Sequence, residues 1–445
     1  MSDAREIAYE ITRRVNSMGG YLGLLLRYGM TAKDLERRDR ALISELTYGV
    51  QRHRARLDFV IASFSSRPLA EIDPEVLDIC RLGVYQLAEM RIPQHAAVNE
   101  TVKLAKKRLG KREASFVNAL LRAASGGLEE IKWPGRDDLP FFLETVYSHP
   151  RWLVDYMLRL LGPEEAEALC VADNTMQRLT LRANTARNSA PSLLGEITER
   201  GGEGSISPCF SEALVGVKMP HETLLDLLRK GQCVVQDESS MLVSHVVDPA
   251  AGDMVIDACA APGGKATHIA LLGGTGCRLI AVDKNERRME AMRKTVSRLG
   301  ISNIETIVGD STRLQDLLSE KAAIIIVDAP CSGLGTLRRN PELKWRRTPE
   351  DLDELKRLQI SLLCGCSDNL APGGALVYSV CTFTAEETTG VIEEFLRDRR
   401  DFKPADATPY LPEALRDSAD GDGFIQIMPH KHGMEGMFIA RLERN

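Results

Sequence analysis

The sequence has 445 residues, 44% of them hydrophobic and 27% charged, enough to bury two or three independent cores. No window approaches the roughly eighteen apolar residues of a membrane span, and Met1–Glu6 carries no basic-then-apolar leader. The ten cysteines lack both the density of a disulfide framework and repeated Cys-x-x-Cys spacing, so the expectation is a cytoplasmic multidomain protein with no membrane partner and no metal site.

Charge is uneven along the chain. Residues 1–125 hold 21 Lys and Arg against 15 Asp and Glu, so this part is +6 and the remainder of the −6 chain is −12. From Arg5 to Ala124 apolar residues recur at helical spacing, as in Leu42, Leu46, Val50 and again Val76, Cys80, Val84, which predicts an all-helical bundle over 1–130. The Lys103–Arg112 cluster reads as an ordinary charged helix face, and Trp133-Pro134-Gly135 as a linker. Over 144–235 the pattern is mixed, with a strand at Leu179–Ala183, a helix near Ser192–Arg200 and a Gly201-Gly202 turn, predicting a small α+β linking domain. His149, beside Pro150 and Trp152, reads as structural.

Over 236–445 the pattern changes to short β-branched runs that alternate with helical stretches: Met254–Ala258, Leu279–Asp283, Glu305–Val308, Ile324–Asp328 and Ala375–Val380. Near-continuous apolar strands of this kind predict a Rossmann-like parallel sheet covered on both faces, with ligands at the carboxyl ends of its strands. Cys364-Gly-Cys366, inside a Leu-rich helical pattern, reads as packing.

The strand ends carry the chemistry. The first run closes in Cys259-Ala260-Ala261-Pro262-Gly263-Gly264-Lys265, a small-residue loop that lets a ligand approach the backbone where a helix begins. Ala266 after Lys265 and Cys259 at the earlier glycine position exclude a phosphate-binding P-loop, and there is no Gly-x-Gly-x-x-Gly. Asp283 ends the second run where a carboxylate can accept both hydroxyls of a ribose, and Asp310 follows the third where it can meet an adenine amino group. A nucleoside site without the dinucleotide fingerprint favours S-adenosylmethionine over NAD. The bland alternative makes Asp283 and Asp310 helix caps.

The fourth run closes in Asp328-Ala329-Pro330-Cys331 and the fifth in Val380-Cys381, so two thiols are expected at one cleft. Carbon 5 of cytosine is a poor nucleophile until a thiolate adds to carbon 6, and expelling that thiol after methylation gives a second thiol a task. Asp328 can hydrogen-bond the N3/N4 edge of the ring. Taken singly, either cysteine reads better as a small buried hydrophobe.

The strings CAAPGGK (259–265) and DAPCSG (328–333), and the Cys381 turn followed by Glu386-Glu387, resemble the Nol1/Nop2/Sun family of RNA cytosine-C5 methyltransferases. The likeness covers nearly the whole chain: residues 1–125 resemble the RNA-binding domain of the antitermination factor NusB, and Ser148–Trp152, Val235–Glu238 and Pro341–Trp345 match as well. It implies a NusB-like bundle, a small α+β domain and a class I methyltransferase domain, with S-adenosylmethionine as cofactor, small-subunit ribosomal RNA as partner and no obligate protein partner. It implies Cys381 as nucleophile, Cys331 as the thiol that assists release, Asp328 beside the base, and Cys259–Lys265, Asp283, Asp310 and Asp328 around the cofactor. Pro330-Cys331 keeps the reverse assignment open, because DNA cytosine methyltransferases attack from such a turn. Two departures stand out: Val380 where the family has Thr, and the closing segment Pro429–Phe438. Arg338, Arg339, Lys344, Trp345, Arg346 and Arg347 are expected to hold phosphates and stack on a base. The competing function is a non-catalytic RNA-binding assembly or antitermination factor on a degenerate fold.

Overall fold

The computed structural model describes residues 4–31 and 35–445. The chain divides into two compact units, one of Met1–Thr175 with Leu337–Arg347, the other of Met176–Thr336 with Thr348–Asn445. Among the described residues no helix is long and apolar enough to cross a membrane.

The first unit is helical. Its central helix, Pro74–Ala88, starts at an Asp73 cap that accepts from the Glu75 amide at 2.8 Å, and eleven of its fifteen residues are buried. Against it pack Arg37–Arg52, Arg54–Phe64, Gln94–Arg108 and Lys111–Gly127, through Leu46, Val50, Leu57, Ile61, Ile79, Val117 and Leu121. Gly49 permits one close crossing, since a Cβ there would lie 1.9 Å from the Tyr85 ring. Arg81, buried in the centre, is held by both oxygens of Asp58 (2.7 and 2.8 Å) and by Asp78 (2.9 Å). On the surface, Lys107 and Arg108 pair with Glu6, and Lys103 with Glu100, in line with a charged helix face. The helices Leu139–Val146, Arg151–Leu161 and Pro163–Asp173 complete the unit. His149 is fully buried, with Nδ1 2.8 Å from the Tyr147 carbonyl, and burial holds its pKa well below the usual value.

Leu337–Arg347 corrects an expectation. Its cations are expected to hold phosphates, yet Lys344 is 1% exposed and donates to the Arg52 carbonyl (2.9 Å) and to Asn174 Oδ1 (3.4 Å). Trp345 Nε1 donates to the Gln51 carbonyl at 2.7 Å, Arg52 donates to the Arg338 carbonyl at 3.1 Å, and the Leu22 amide donates to Glu342 at 2.9 Å. Arg346 lies over the Tyr21 ring. Of the six predicted contacts Arg339 alone is exposed, while Trp345, Arg346 and Arg347 are half-buried. Buried backbone carbonyls offer a lysine what water otherwise would, and they spend it on anchoring. Burial brings the Lys344 pKa down to about 7 and raises that of the neighbouring Asp173 to about 7. Lys344→Ala is expected to cost about 2–4 kcal/mol, because the buried Arg52 carbonyl and the partly buried Asn174 lose their donor and a cavity opens. Chemical denaturation of the full chain checks this.

In the second unit a small antiparallel sheet has the order β2-β3-β1-β4, with β1 Leu179–Ala183, β2 Glu203–Ile206, β3 Ala213–Lys218 and β4 Cys233–Val235. Helices Ala190–Glu199 and His221–Arg229 close a core of Leu181, Leu193, Ile197, Leu214 and Leu227. The large sheet contains β5 Met254–Asp257, β6 Arg278–Asp283, β7 Ile304–Val308, β8 Ala322–Asp328, β9 Leu370–Val380, β10 Phe402–Ala405, β11 Ile425–Ile427 and β12 Met437–Arg444. Its order is β10-β12-β9-β8-β5-β6-β7, with β11 also on β12. From β7 to β9 neighbours are parallel, whereas β10, β11 and β12 join antiparallel, so the expected parallel sheet has a mixed edge. The chain runs from β5 to one side through β6 and β7 and then returns to the other through β8 and β9. Strand order therefore reverses between β5 and β8, and the crevice lies at their carboxyl ends.

Candidate active site

Asp257 and Asp328 close the two strands that flank this crevice. Asp257 is buried, accepts from the Cys259 amide at 3.3 Å, and has its pKa pushed up to about 7 by burial and by the nearby Asp328 charge. The loop after it is pinned by backbone bonds from Ala258 to Ile326 (2.9 Å) and from Ala260 to Val282 (3.0 Å). Gly263 sits at φ +99°, and a Cβ there would lie 2.8 Å from Met292, so only glycine fits the turn into the helix Gly264–Leu272. Asp283 is buried at the end of β6; Oδ2 accepts from the Ala261 amide (3.2 Å) and Oδ1 from the Asn285 amide (2.8 Å). Asp310 Oδ1 caps the 3₁₀ turn Ser311–Asp316 through the Thr312 amide and hydroxyl, which hold its pKa below the usual range.

On the other side of the crevice, Cys331 Sγ and Cys381 Sγ are 3.2 Å apart, hydrogen-bonded and partly buried. The hydrogen bond to Cys381 and burial push the Cys331 thiol well above its usual pKa. Asp328 is fixed from two directions, accepting from Lys265 Nζ at 2.7 Å through Oδ2 and from Ser379 Oγ at 2.9 Å through Oδ1. Burial pulls the Lys265 pKa down, but attraction and hydrogen bonding to Asp328 outweigh it, with Cys381 adding to the rise. The last residue of the small-residue loop is thus an ammonium paired with the Asp328 carboxylate. Cys259 belongs to a different class: burial and Asp257 hold its thiol far above the range in which it ionises.

Three family models match the chain: 16S rRNA methyltransferase RsmB/F over residues 244–443, the NusB family over 2–125, and an RsmF/B-like ferredoxin-like domain over 149–219. A Bacillus subtilis (strain 168) protein named probable ribosomal RNA small subunit methyltransferase B is 33% identical over 100% of this chain and 99% of its own length. The chain belongs to the RsmB/F family of 16S rRNA methyltransferases. Its helical domain is NusB-like and its large sheet is the Rossmann-like methyltransferase domain. Among solved structures, PH0851 superposes with a TM-score of 0.84 at 26% identity over 100% of this chain and 99% of its own. NSun6 from Pyrococcus horikoshii, crystallised with SFG, gives 0.61 at 26% identity over 67% of this chain and 99% of its own.

Family strings pointed to the thiols and the loop but not to what holds them. Glu387, buried in the segment after Cys381, accepts from the Ser332 amide (2.8 Å), Gln359 (3.0 Å) and Thr384 Oγ1 (2.8 Å). Ser332 and Thr382 hydroxyls meet at 2.9 Å, and Gln359 also donates to the Pro330 carbonyl, so one carboxylate binds both cysteine turns together. Its sequence signal was Glu386-Glu387, legible only as part of the resemblance. Arg182 on β1 was missed entirely. It is fully buried and donates to the Gly264 carbonyl (2.9 Å), Thr267 Oγ1 (2.9 Å) and Gln236 Oε1 (2.6 Å), fixing the first turn of the helix that opens at the loop. An arginine inside an apolar strand is the signal that could have revealed it.

Both departures from the family strings lie behind the thiols. Val380 is fully buried in the core with Phe424 and Phe438, where an apolar side chain is at home. Gly436, in the divergent closing segment, donates to the Gly335 carbonyl at 2.7 Å, and the Gly335 amide donates to the Cys381 carbonyl at 3.0 Å.

Proposed function

We propose that this methyltransferase places a methyl group from S-adenosylmethionine on carbon 5 of a cytosine in small-subunit ribosomal RNA, through a covalent bond from Cys381 to carbon 6. The carrying observation is the Cys331–Cys381 pair, 3.2 Å apart, beside a carboxylate anchored by Lys265 and Ser379. A single buried thiol would be packing; two touching thiols at adjacent strand ends next to an ion pair make a reaction site. All three groups are present and engaged, which counts against a degenerate scaffold. The Bacillus relative's name and the family model point to the RNA class.

The loop fits the cofactor. Gly264 has nothing within 4 Å of where a Cβ would project, so the backbone is open to a ligand. Asp283 takes one amide hydrogen bond on each oxygen, with the Arg288 guanidinium 3.7 Å from Oδ2, which leaves acceptor capacity for ribose hydroxyls. Cys259–Lys265, Asp283, Asp310 and Asp328 would hold it. When bound, S-adenosylmethionine supplies an electrophilic methyl group on a sulfonium.

Cys381 gives up its proton to solvent and adds to carbon 6 as a thiolate, and carbon 5 becomes enamine-like. Asp328 accepts from the amino group at the N4 edge, while Lys265 offsets negative charge that develops on the ring. After methylation a solvent water takes the proton from carbon 5, the C–H electron pair re-forms the C5–C6 double bond, and the bond from Cys381 to carbon 6 breaks with its electron pair going to the sulfur. Cys331, kept protonated by the causes already given, presents its S–H to the departing sulfur. By this reading residues 1–130 dock RNA, 144–235 link, and 236–445 catalyse, in the cytoplasm. Bisulfite mapping of ribosomal RNA from cells with and without the protein tests it; an unchanged map rejects the reaction.

Each ribose hydrogen bond to the Asp283 carboxylate is worth about 1.5–3 kcal/mol. Asp283→Ala should therefore weaken S-adenosylmethionine well over tenfold in calorimetric titration, and unchanged affinity in a folded variant would remove Asp283 from the site.

A further inference from the structure

Away from the crevice, three ligand-type side chains meet in the second unit. Glu212 precedes β3, His245 lies on the helix Glu238–Val247, and His268 on the helix Gly264–Leu272. His245 Nε2 is 2.7 Å and His268 Nε2 3.1 Å from the same oxygen, Glu212 Oε1, and one donor atom from each residue falls within 4.8 Å of the other two. We propose that Glu212, His245 and His268 form a binding site for one d-block divalent cation, zinc foremost, with water as fourth ligand.

Geometry carries the case. Tetrahedral zinc with bonds of about 2.0–2.1 Å puts neighbouring donor atoms roughly 3.3 Å apart. The two observed separations need to open by only a few tenths of an ångström, and the rotamers already aim both Nε2 atoms at the carboxylate. The rings are held in place: Phe210 stacks on His245 at 5.1 Å and 19°, and His245 meets His268 edge-on at 5.3 Å and 85°. Glu212 Oε2 is turned away, toward the Ser211 hydroxyl at 3.4 Å. His268 Nε2 donates its proton to Glu212, while Nδ1 makes no hydrogen bond, so a metal that takes the Nε2 lone pair displaces that proton to the vacant Nδ1. Glu212 and His268 are buried, whereas the His245 side chain is 29% exposed, giving an entry path and an open fourth position.

Composition sets the metal. One carboxylate and two imidazoles suit zinc and its d-block neighbours and give too few oxygens for calcium or magnesium. The Arg182 guanidinium, whose charge acts on both Glu212 and His268, opposes any ion held by charge alone and sharpens that choice. The same helix carries Gly264 at its start and His268 in its second turn, so a bound ion would tie the small sheet to the element from which the small-residue loop hangs.

The test uses full-length protein stripped with a chelator, in parallel with a Cys331→Ala/Cys381→Ala background that removes the thiol pair as a competing site. Zinc titrated by calorimetry should bind one ion per chain in both and raise the melting temperature, and cobalt should give the visible absorption of a tetrahedral centre. His245→Ala, at a partly exposed position, and Glu212→Gln should each weaken zinc by about 100-fold or more and abolish the melting shift, with folding verified by circular dichroism. Should Glu212→Gln fail to fold, His245→Ala decides alone. No zinc binding above that of the two variants, or zinc bound equally by His245→Ala, overturns the site and leaves a hydrogen-bonded latch; magnesium bound as tightly as zinc overturns the ligand assignment.

Discussion

Cys381→Ala should abolish turnover and leave no RNA adduct, while Cys331→Ala should accumulate a covalent protein–RNA complex that survives denaturing gel electrophoresis. The asymmetry follows from two different tasks. Removing the nucleophile eliminates the covalent path, a loss on the order of 10⁴-fold or more, since no other group at the base can become a carbon nucleophile near neutral pH as readily as this thiol. Cys331 instead hydrogen-bonds the nucleophile at 3.2 Å, with a pKa raised by that contact and by burial. It suits a proton donor to the leaving sulfur and not an attacking thiolate. Cys331→Ala should therefore attack and methylate, then stall. Alanine fits both sites, and Glu387 still fastens the two turns through Ser332 and Thr384, so neither phenotype should come from misfolding. An adduct formed by Cys381→Ala and lost in Cys331→Ala would reverse the roles, as the Pro330-Cys331 turn allows.

What was legible in the sequence shares one physical basis. Apart from the edge strand Ile304–Val308, which is only partly covered, the predicted strands are apolar runs buried on both faces, and such a run must end where the chain leaves the sheet, so Asp257, Asp283, Asp328 and Cys381 could be placed at strand ends without coordinates. The three antiparallel strands were not legible in that way: Phe402–Ala405 and Ile425–Ile427 are short, and Met437–Arg444 interleaves Arg and Glu with its apolar residues. Long-range polar contacts defeated the reading altogether. Lys344 looks like a surface cation because its acceptor, the Arg52 carbonyl, lies 292 residues away and no local pattern reveals it. Arg182 reaches Gly264 and Thr267 over more than eighty residues in the same manner. Val380 was singled out for a missing hydroxyl, whereas the sheet makes it core.

Asp328→Asn should reduce the methyl-transfer step by about 10²–10³-fold, the usual cost of losing one preorganised electrostatic partner of a transition state. Asparagine keeps the shape and the Ser379 contact but replaces the charge that Lys265 meets at 2.7 Å and that the base edge would meet during attack. The uncompensated Lys265 ammonium, its side chain only 12% exposed, adds a stability cost of about 1–3 kcal/mol, visible as a lowered melting temperature. Single-turnover transfer at saturating cofactor and RNA separates the two effects, because it reads chemistry on enzyme that is folded and loaded. Asp328 also borders the cofactor loop, so the decisive comparison is with binding. If it acts mainly on the base, S-adenosylmethionine affinity should shift by no more than about fivefold, roughly 1 kcal/mol, while chemistry falls at least tenfold further. Intact single-turnover chemistry combined with lost cofactor affinity would move Asp328 from the base to the cofactor, and would leave Lys265 as the group that meets the charge developing on the ring.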